Sequence, residues 1–133
     1  MRPPGQSKHL EMNTDQFTRR KYLNFESYKR DGAPVATPMW FAEKDGLFFV
    51  YSVANVGKVK RIRNNPRVRI APCDIRGKLE GDWITGQARI EEGETAEIAN
   101  KLLTRKYGLL KRIGSLYSNL IGRKRMVISI RPD

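Results

Sequence analysis

From Arg20 onward apolar and polar positions alternate with a period of two. Leu23, Phe25 and Ser27 alternate with Tyr22, Asn24, Glu26 and Tyr28, which predicts a strand that Asp31-Gly32 ends as a hairpin turn. Val35, Thr37, Met39 and Phe41 alternate with Ala36, Pro38, Trp40 and Ala42 in a second strand. Pro38 cannot donate to a ladder, so that strand is expected at an edge or with a bulge. Asp45-Gly46 is the next turn and Leu47 to Ser52 the third strand, giving an antiparallel meander.

The period then changes. Val56 to Arg63 predicts a short helix with Val59 and Ile62 on one face, stopped by Asn64-Asn65-Pro66. Arg67 to Cys73 and Trp83 to Ile90 read as a fourth and fifth strand, with Gly86 weakening the latter or marking a close backbone approach. Thr95 to Tyr107 is helical with Ile98, Leu102 and Tyr107 inward, and helical spacing continues through Leu109, Leu110, Ile113, Leu116, Tyr117, Leu120 and Ile121. Arg125 to Arg131 closes the chain, Met126, Ile128 and Ile130 pointing one way. Six strands with short connections and helical insertions predict a mainly β fold, a small antiparallel barrel. Residues 1–14 read as a polar arm and 15–133 as one domain, a size that supports a core without staples.

Charge adds a partner class. The net charge is +12, and Ile98 to Pro132 contains nine Lys or Arg and no acid. Such a surface attracts polyanions: nucleic acid, acidic lipid or an anionic cofactor. Lys58, Lys60, Arg61 and Arg63 follow Gly57 at a helix start, where unpaired N–H groups already favour an anion. No apolar run approaches a bilayer span and the first residues carry no apolar segment, so a cytoplasmic location and no membrane are expected. One cysteine, Cys73, fits a reducing compartment and reads as a small buried hydrophobe.

Few residues could do chemistry unaided. The single histidine, His9, lies in the arm, so a Ser-His-Asp or Cys-His arrangement and a zinc site are both disfavoured. GxxxxGK[ST] and GxGxxG are absent. Glu80 and Asp82 flank Gly81 in a turn and read as solvated. If the chain is an enzyme, a bound cofactor carries the reaction and no catalytic side chain is expected.

Gly32-Ala33-Pro34-Val35-Ala36-Thr37-Pro38-Met39-Trp40-Phe41, Leu47-Phe48-Phe49-Val50-Tyr51-Ser52 and Gly57-Lys58-Val59-Lys60-Arg61-Ile62-Arg63-Asn64-Asn65-Pro66-Arg67-Val68 stand in this order. This series resembles the flavin/deazaflavin oxidoreductases related to pyridoxamine 5′-phosphate oxidase, and Ala71-Pro72-Cys73-Asp74 with Arg76-Gly77 is similar to the deazaflavin-dependent branch. The resemblance implies a six-stranded antiparallel split β-barrel, and a homodimer with FMN or coenzyme F420 held between subunits. It implies that Thr37, Pro38, Met39 and Trp40 line the ring, and that Ser52, Lys58 and Lys60 reach the phosphate. Arg61 and Arg63 stand beside them on a helix that cannot aim every neighbour the same way. Gly77 and Trp83 would complete the pocket from the facing subunit.

FMN asks for one phosphate clamp, whereas F420 carries a phosphodiester and an oligoglutamate tail, and the basic C-terminal third tilts the reading toward F420. The function expected is hydride transfer between that cofactor and a small organic substrate. The alternatives are a flavin-binding carrier or sensor without turnover, and a basic nucleic-acid-binding barrel. The last has no recognisable RRM or KH signature in its support.

Overall fold

The computed structural model describes residues 14–53, 56–108 and 125–133 and, for Tyr51, Ser52, Val53, Val56 and Arg125, the backbone alone. The elements are β1 (Tyr22–Tyr28), β2 (Pro34–Lys44), β3 (Leu47–Val53), α1 (Val56–Asn64), β4 (Arg67–Cys73), β5 (Ile84–Glu91), α2 (Gly93–Tyr107) and β6 (Arg125–Pro132). The strands close into an antiparallel barrel in the order β1-β2-β3-β6-β5-β4. The arm with His9 and the helical spacing from Leu109 to Ile121 lie outside the described residues.

The meander forms as the alternation predicts. Both Asp-Gly turns place glycine at positive φ, Gly32 at 89° and Gly46 at 81° with Asp45 at 53°, a conformation that costs a side-chain-bearing residue far more. The interior is filled by Leu23, Phe25, Met39, Phe41, Phe48, Val50, Val68, Ile70, Ile128 and Ile130, with Met126 packed against them. Phe17 enters from the segment before β1 and meets the Phe48 ring edge-on at 4.9 Å. Gln16 ties that segment to the loop before β5, accepting from the Asp82 N–H at 2.7 Å and donating to the Asp82 carbonyl at 2.9 Å.

β2 is paired unequally. β1 runs along its Pro34–Trp40 half, while β3 pairs only with Phe41–Lys44. The Ala33 carbonyl accepts from Lys29, and the Phe41 N–H turns to the same side, toward the start of β1. The regular register between them sends the odd-numbered amides of β2 toward β1 and the even-numbered ones away. Pro38, expected at an edge, therefore falls where its missing N–H faces away from β1, a side with no described strand paired to it. Gly86 marks a close approach: a Cβ there would sit 2.7 Å from the Arg131 carbonyl oxygen of β6.

Burial adds one finding on β1 and corrects two expectations about helix faces. β1 buries both faces, because Asn24 and Glu26 on its outer side are also covered. In α1 the inward positions are Lys58 and Ile62, with Val59 only half-buried, since a lysine stem can lie along apolar surface as well as a valine. In α2 the inward stripe is Ala99, Leu103 and Tyr107; Ile98 is exposed and Leu102 half-buried. The Tyr107 hydroxyl fixes that rotation. It accepts from the Phe41 N–H at 2.9 Å and shares its proton between the carbonyls of Lys21 and Phe41 at 2.7 and 2.8 Å, closing the ladder where β1 begins.

Candidate functional site

The two halves of the expected site meet through one side chain. Lys58, in the first turn of α1, is buried, with its ammonium 3.8 Å from the Met39 Sδ of β2 and 6.0 Å from the centre of the Phe25 ring. Burial, and then the charge of Arg61, push this ammonium below the ordinary lysine value. α1 carries no acid in its first turn to offset these cations.

Lys60 and Arg61 are turned elsewhere. With Arg63, Gly57 and Asn64 they form one wall of a cleft of about 700 Å³ whose other wall is Tyr28, Lys29 and Arg30, at the end of β1 and in the turn after it. Arg61 is held in place by donating from Nε to the Ser27 hydroxyl at 2.9 Å. None of the five cations in this cleft forms an ion pair with a described carboxylate.

The remaining expected residues divide by strand parity. Met39 faces the interior and Thr37 is half-buried on the same side. Pro38 and Trp40 face outward. Pro38 lies against Gly77, whose carbonyl accepts from Asn24 Nδ2 at 2.8 Å. Gly77 has φ 90° in a turn built by Asp74, whose carboxylate accepts from the N–H groups of Arg76 and Lys78. Trp40 stacks on Tyr107, with ring centres 4.8 Å apart and planes 13° from parallel. Trp83 lies beneath the Arg69 guanidinium at 4.4 Å. The Ser52 side chain lies outside the described residues.

Sequence reading missed Lys29, Arg30 and Tyr28 as neighbours of α1. Two cations before an Asp-Gly turn look like an ordinary solvated hairpin, and only the closed barrel brings them opposite the helix. It also missed the polar set behind Tyr28. The buried Glu26 carboxylate accepts from Arg69 Nε and Nη2 at 2.8 and 3.1 Å and from the Tyr28 hydroxyl at 3.0 Å. Burial and then this bond to Glu26 raise the Tyr28 phenol above its ordinary value. Glu80 and Asp82 are exposed, as expected, Glu80 pairing with Arg20. Among the described residues no three His, Cys, Asp or Glu side chains gather as metal ligands, and no helix is long and apolar enough to cross a membrane.

This barrel, with a short cationic helix between β3 and β4, has the architecture of the split barrels. Residues 14–132 match the family described as pyridoxamine 5′-phosphate oxidase, and the chain belongs to that family of FMN-binding split barrels. No curated protein sequence matches it. Among solved structures, a putative 5-nitroimidazole antibiotic resistance protein from Bacteroides thetaiotaomicron superposes with a TM-score of 0.68 at 14% identity, covering 92% of this chain and 79% of that one. An F420-H2 dependent reductase superposes with a TM-score of 0.59 at 20% identity, covering 84% of this chain and 95% of that one. A heme storage protein, HutZ, from Vibrio cholerae gives 0.59 at 16% identity, over 100% and 92%. These likenesses concern the fold; the three neighbours' names describe three different tasks.

Proposed function

We propose that the protein is an oxidoreductase using F420 or FMN, as a homodimer, on a small organic substrate. The observation that carries this reading is the contact between Lys58 and Met39. It joins the cation-bearing start of α1 to the strand that carries Thr37, Pro38, Met39 and Trp40.

The residues present fit a phosphorylated planar group. Lys58 supplies a desolvated ammonium beside a helix start, where a phosphate gains charge-assisted hydrogen bonds and offsets the repulsion from Arg61. Ser52 remains a candidate for the same grip, whereas Lys60 and Arg61, expected beside it, turn into the neighbouring cleft. Thr37 and Met39 offer a mainly apolar wall next to Lys58, while Pro38, Trp40, Gly77 and Trp83, which face outward, would contact the group bound by the facing subunit. When bound, a flavin or deazaflavin supplies hydride chemistry. The protein's share is to orient the ring, exclude water and fix the phosphate charge. F420 rather than FMN is favoured by the excess of cations and by likeness in fold to an F420-H2 dependent reductase.

Fluorescence titration of the purified protein with FMN and with F420 tests this. Saturable binding of one of them, lost in Lys58→Ala while the fold and the dimer persist, is the expected result. Unchanged affinity in that variant, or binding of neither compound, would remove the assignment.

A further inference from the structure

We propose that the cleft between the β1–β2 turn and the outer side of α1 is a second anion site, separate from the cofactor grip, that takes the phosphate chain of a small oligophosphate ligand. Lys29 and Arg30 come from the turn, and Lys60, Arg61 and Arg63 from the helix. Lys58 does not line this cleft. It points inward with Ile62, and Lys60 lies two positions along, about 200° around the helix. The two clusters thus sit on different sides of the same element.

The cleft is positive because five cations and no carboxylate stand among its described lining residues. Asp31, the acid of the β1–β2 turn, accepts from the Ala33 N–H at 2.9 Å. Glu26, the buried acid behind Tyr28, is taken up by the fork of Arg69. The walls are also held before any ligand arrives. Arg61 is fixed on Ser27, the Tyr28 hydroxyl on Glu26, and the turn is closed by Lys29 N–H to Ala33 and Gly32 N–H to Lys29, both at 2.9 Å. With Arg61 and the backbone of the turn already held, part of the ordering cost of binding is met in advance.

Size and shape select the class. The volume, about 700 Å³, is that of a small-molecule site rather than of a single ion. Five cations on two facing walls exceed what one phosphate can engage, whereas a chain of phosphates spans both walls. Among the described residues Tyr28 is the one aromatic in the lining, so these walls show no succession of stacking rings of the kind that holds single-stranded nucleic acid.

Calorimetric titration of the whole protein at physiological salt with tripolyphosphate, ATP, inorganic phosphate and a short oligouridylate tests the proposal. Tripolyphosphate and ATP should each bind once per chain, about tenfold or more tighter than inorganic phosphate. Tighter ATP than tripolyphosphate would assign the site to a nucleotide; equal affinities would assign it to the phosphate chain alone. Lys29→Ala/Arg30→Ala, which alters two turn residues, should weaken both by about tenfold without changing FMN or F420 affinity. Four results would overturn the proposal: no preference over inorganic phosphate, no effect of that double substitution, displacement of tripolyphosphate by FMN, or binding of oligouridylate alone. Because the oligophosphate titration needs no cofactor, its outcome is independent of the cofactor assignment.

Discussion

Arg69 grips both carboxylate oxygens of Glu26 across the β1–β4 ladder, at 2.8 and 3.1 Å. Glu26 is 5% exposed, so the pair is half in the protein and half at its surface, with the Trp83 ring against the guanidinium. Glu26→Ala removes the acceptor for Arg69 and Tyr28 together. A loss of about 1.5–3 kcal/mol is expected, the range for hydrogen bonds to a charged group, and urea denaturation with unchanged slope would show it. Stability within a few tenths of wild type would mean that the pair is dispensable.

Tyr107→Phe keeps the stacking on Trp40 and deletes only the hydroxyl. The Phe41 N–H then has no partner at a buried position, which costs about 1–3 kcal/mol. Tryptophan emission of the native variant should stay close to wild type while its thermal midpoint falls; equal midpoints would count against the hydroxyl's closing the ladder. Burial also raises the Tyr107 phenol above the ordinary tyrosine value. The group is protonated in both states below pH ~10. Above that the unfolded chain ionises first, so this contribution to stability is lost as pH rises.

Gly86→Ala places a methyl against backbone, and the Arg131 carbonyl cannot rotate away as a side chain could. About 1–3 kcal/mol of overpacking cost is expected, shared by the β5–β6 ladder. Faster amide exchange along β6 than in wild type would locate it there; a neutral substitution would mean that β6 moves freely.

Cys73 is buried, and burial, followed by the charges of Asp74 and Glu80, pushes its thiol up to about 11. At pH 8 a thiol-disulfide reagent should react with the native protein only as fast as it opens, and at once in denaturant. The sign follows from the raised value. The thiol's contribution is fully present below pH 9 and is lost between there and about 11. Rapid labelling of native protein at pH 8 would place Cys73 in contact with solvent.

The barrel was legible because its signals are local. Residues such as Leu23, Phe25, Val35 and Met39 alternate, and Asp-Gly pairs force the turns between them. Helix faces were less legible. Val56–Asn64 has too few apolar residues to decide between Val59 and Lys58 as the partner of Ile62, and the choice depends on Met39 and Phe25, distant in sequence. In α2 the stripes of Ile98/Leu102 and Ala99/Leu103/Tyr107 are adjacent, and a bond to the Phe41 backbone selects the second. The order Thr37-Pro38-Met39-Trp40 reads as one patch along the chain, but strand parity sends alternate members to opposite faces. The cleft was invisible for the converse reason, since Lys29 and Lys60 meet only through the closed barrel.

The prolines of β2 bear on how this molecule meets others of its kind. Pro34 and Pro38 both fall on the even-numbered side, so the margin of that strand that no described strand pairs keeps the N–H groups of Ala36 and Trp40 as its donors between Pro34 and Trp40. A margin so depleted is a poor template for strand addition. A second strand laid there would find no N–H at Pro34 or Pro38, so side-chain contacts would have to carry more of any recognition between copies than backbone pairing.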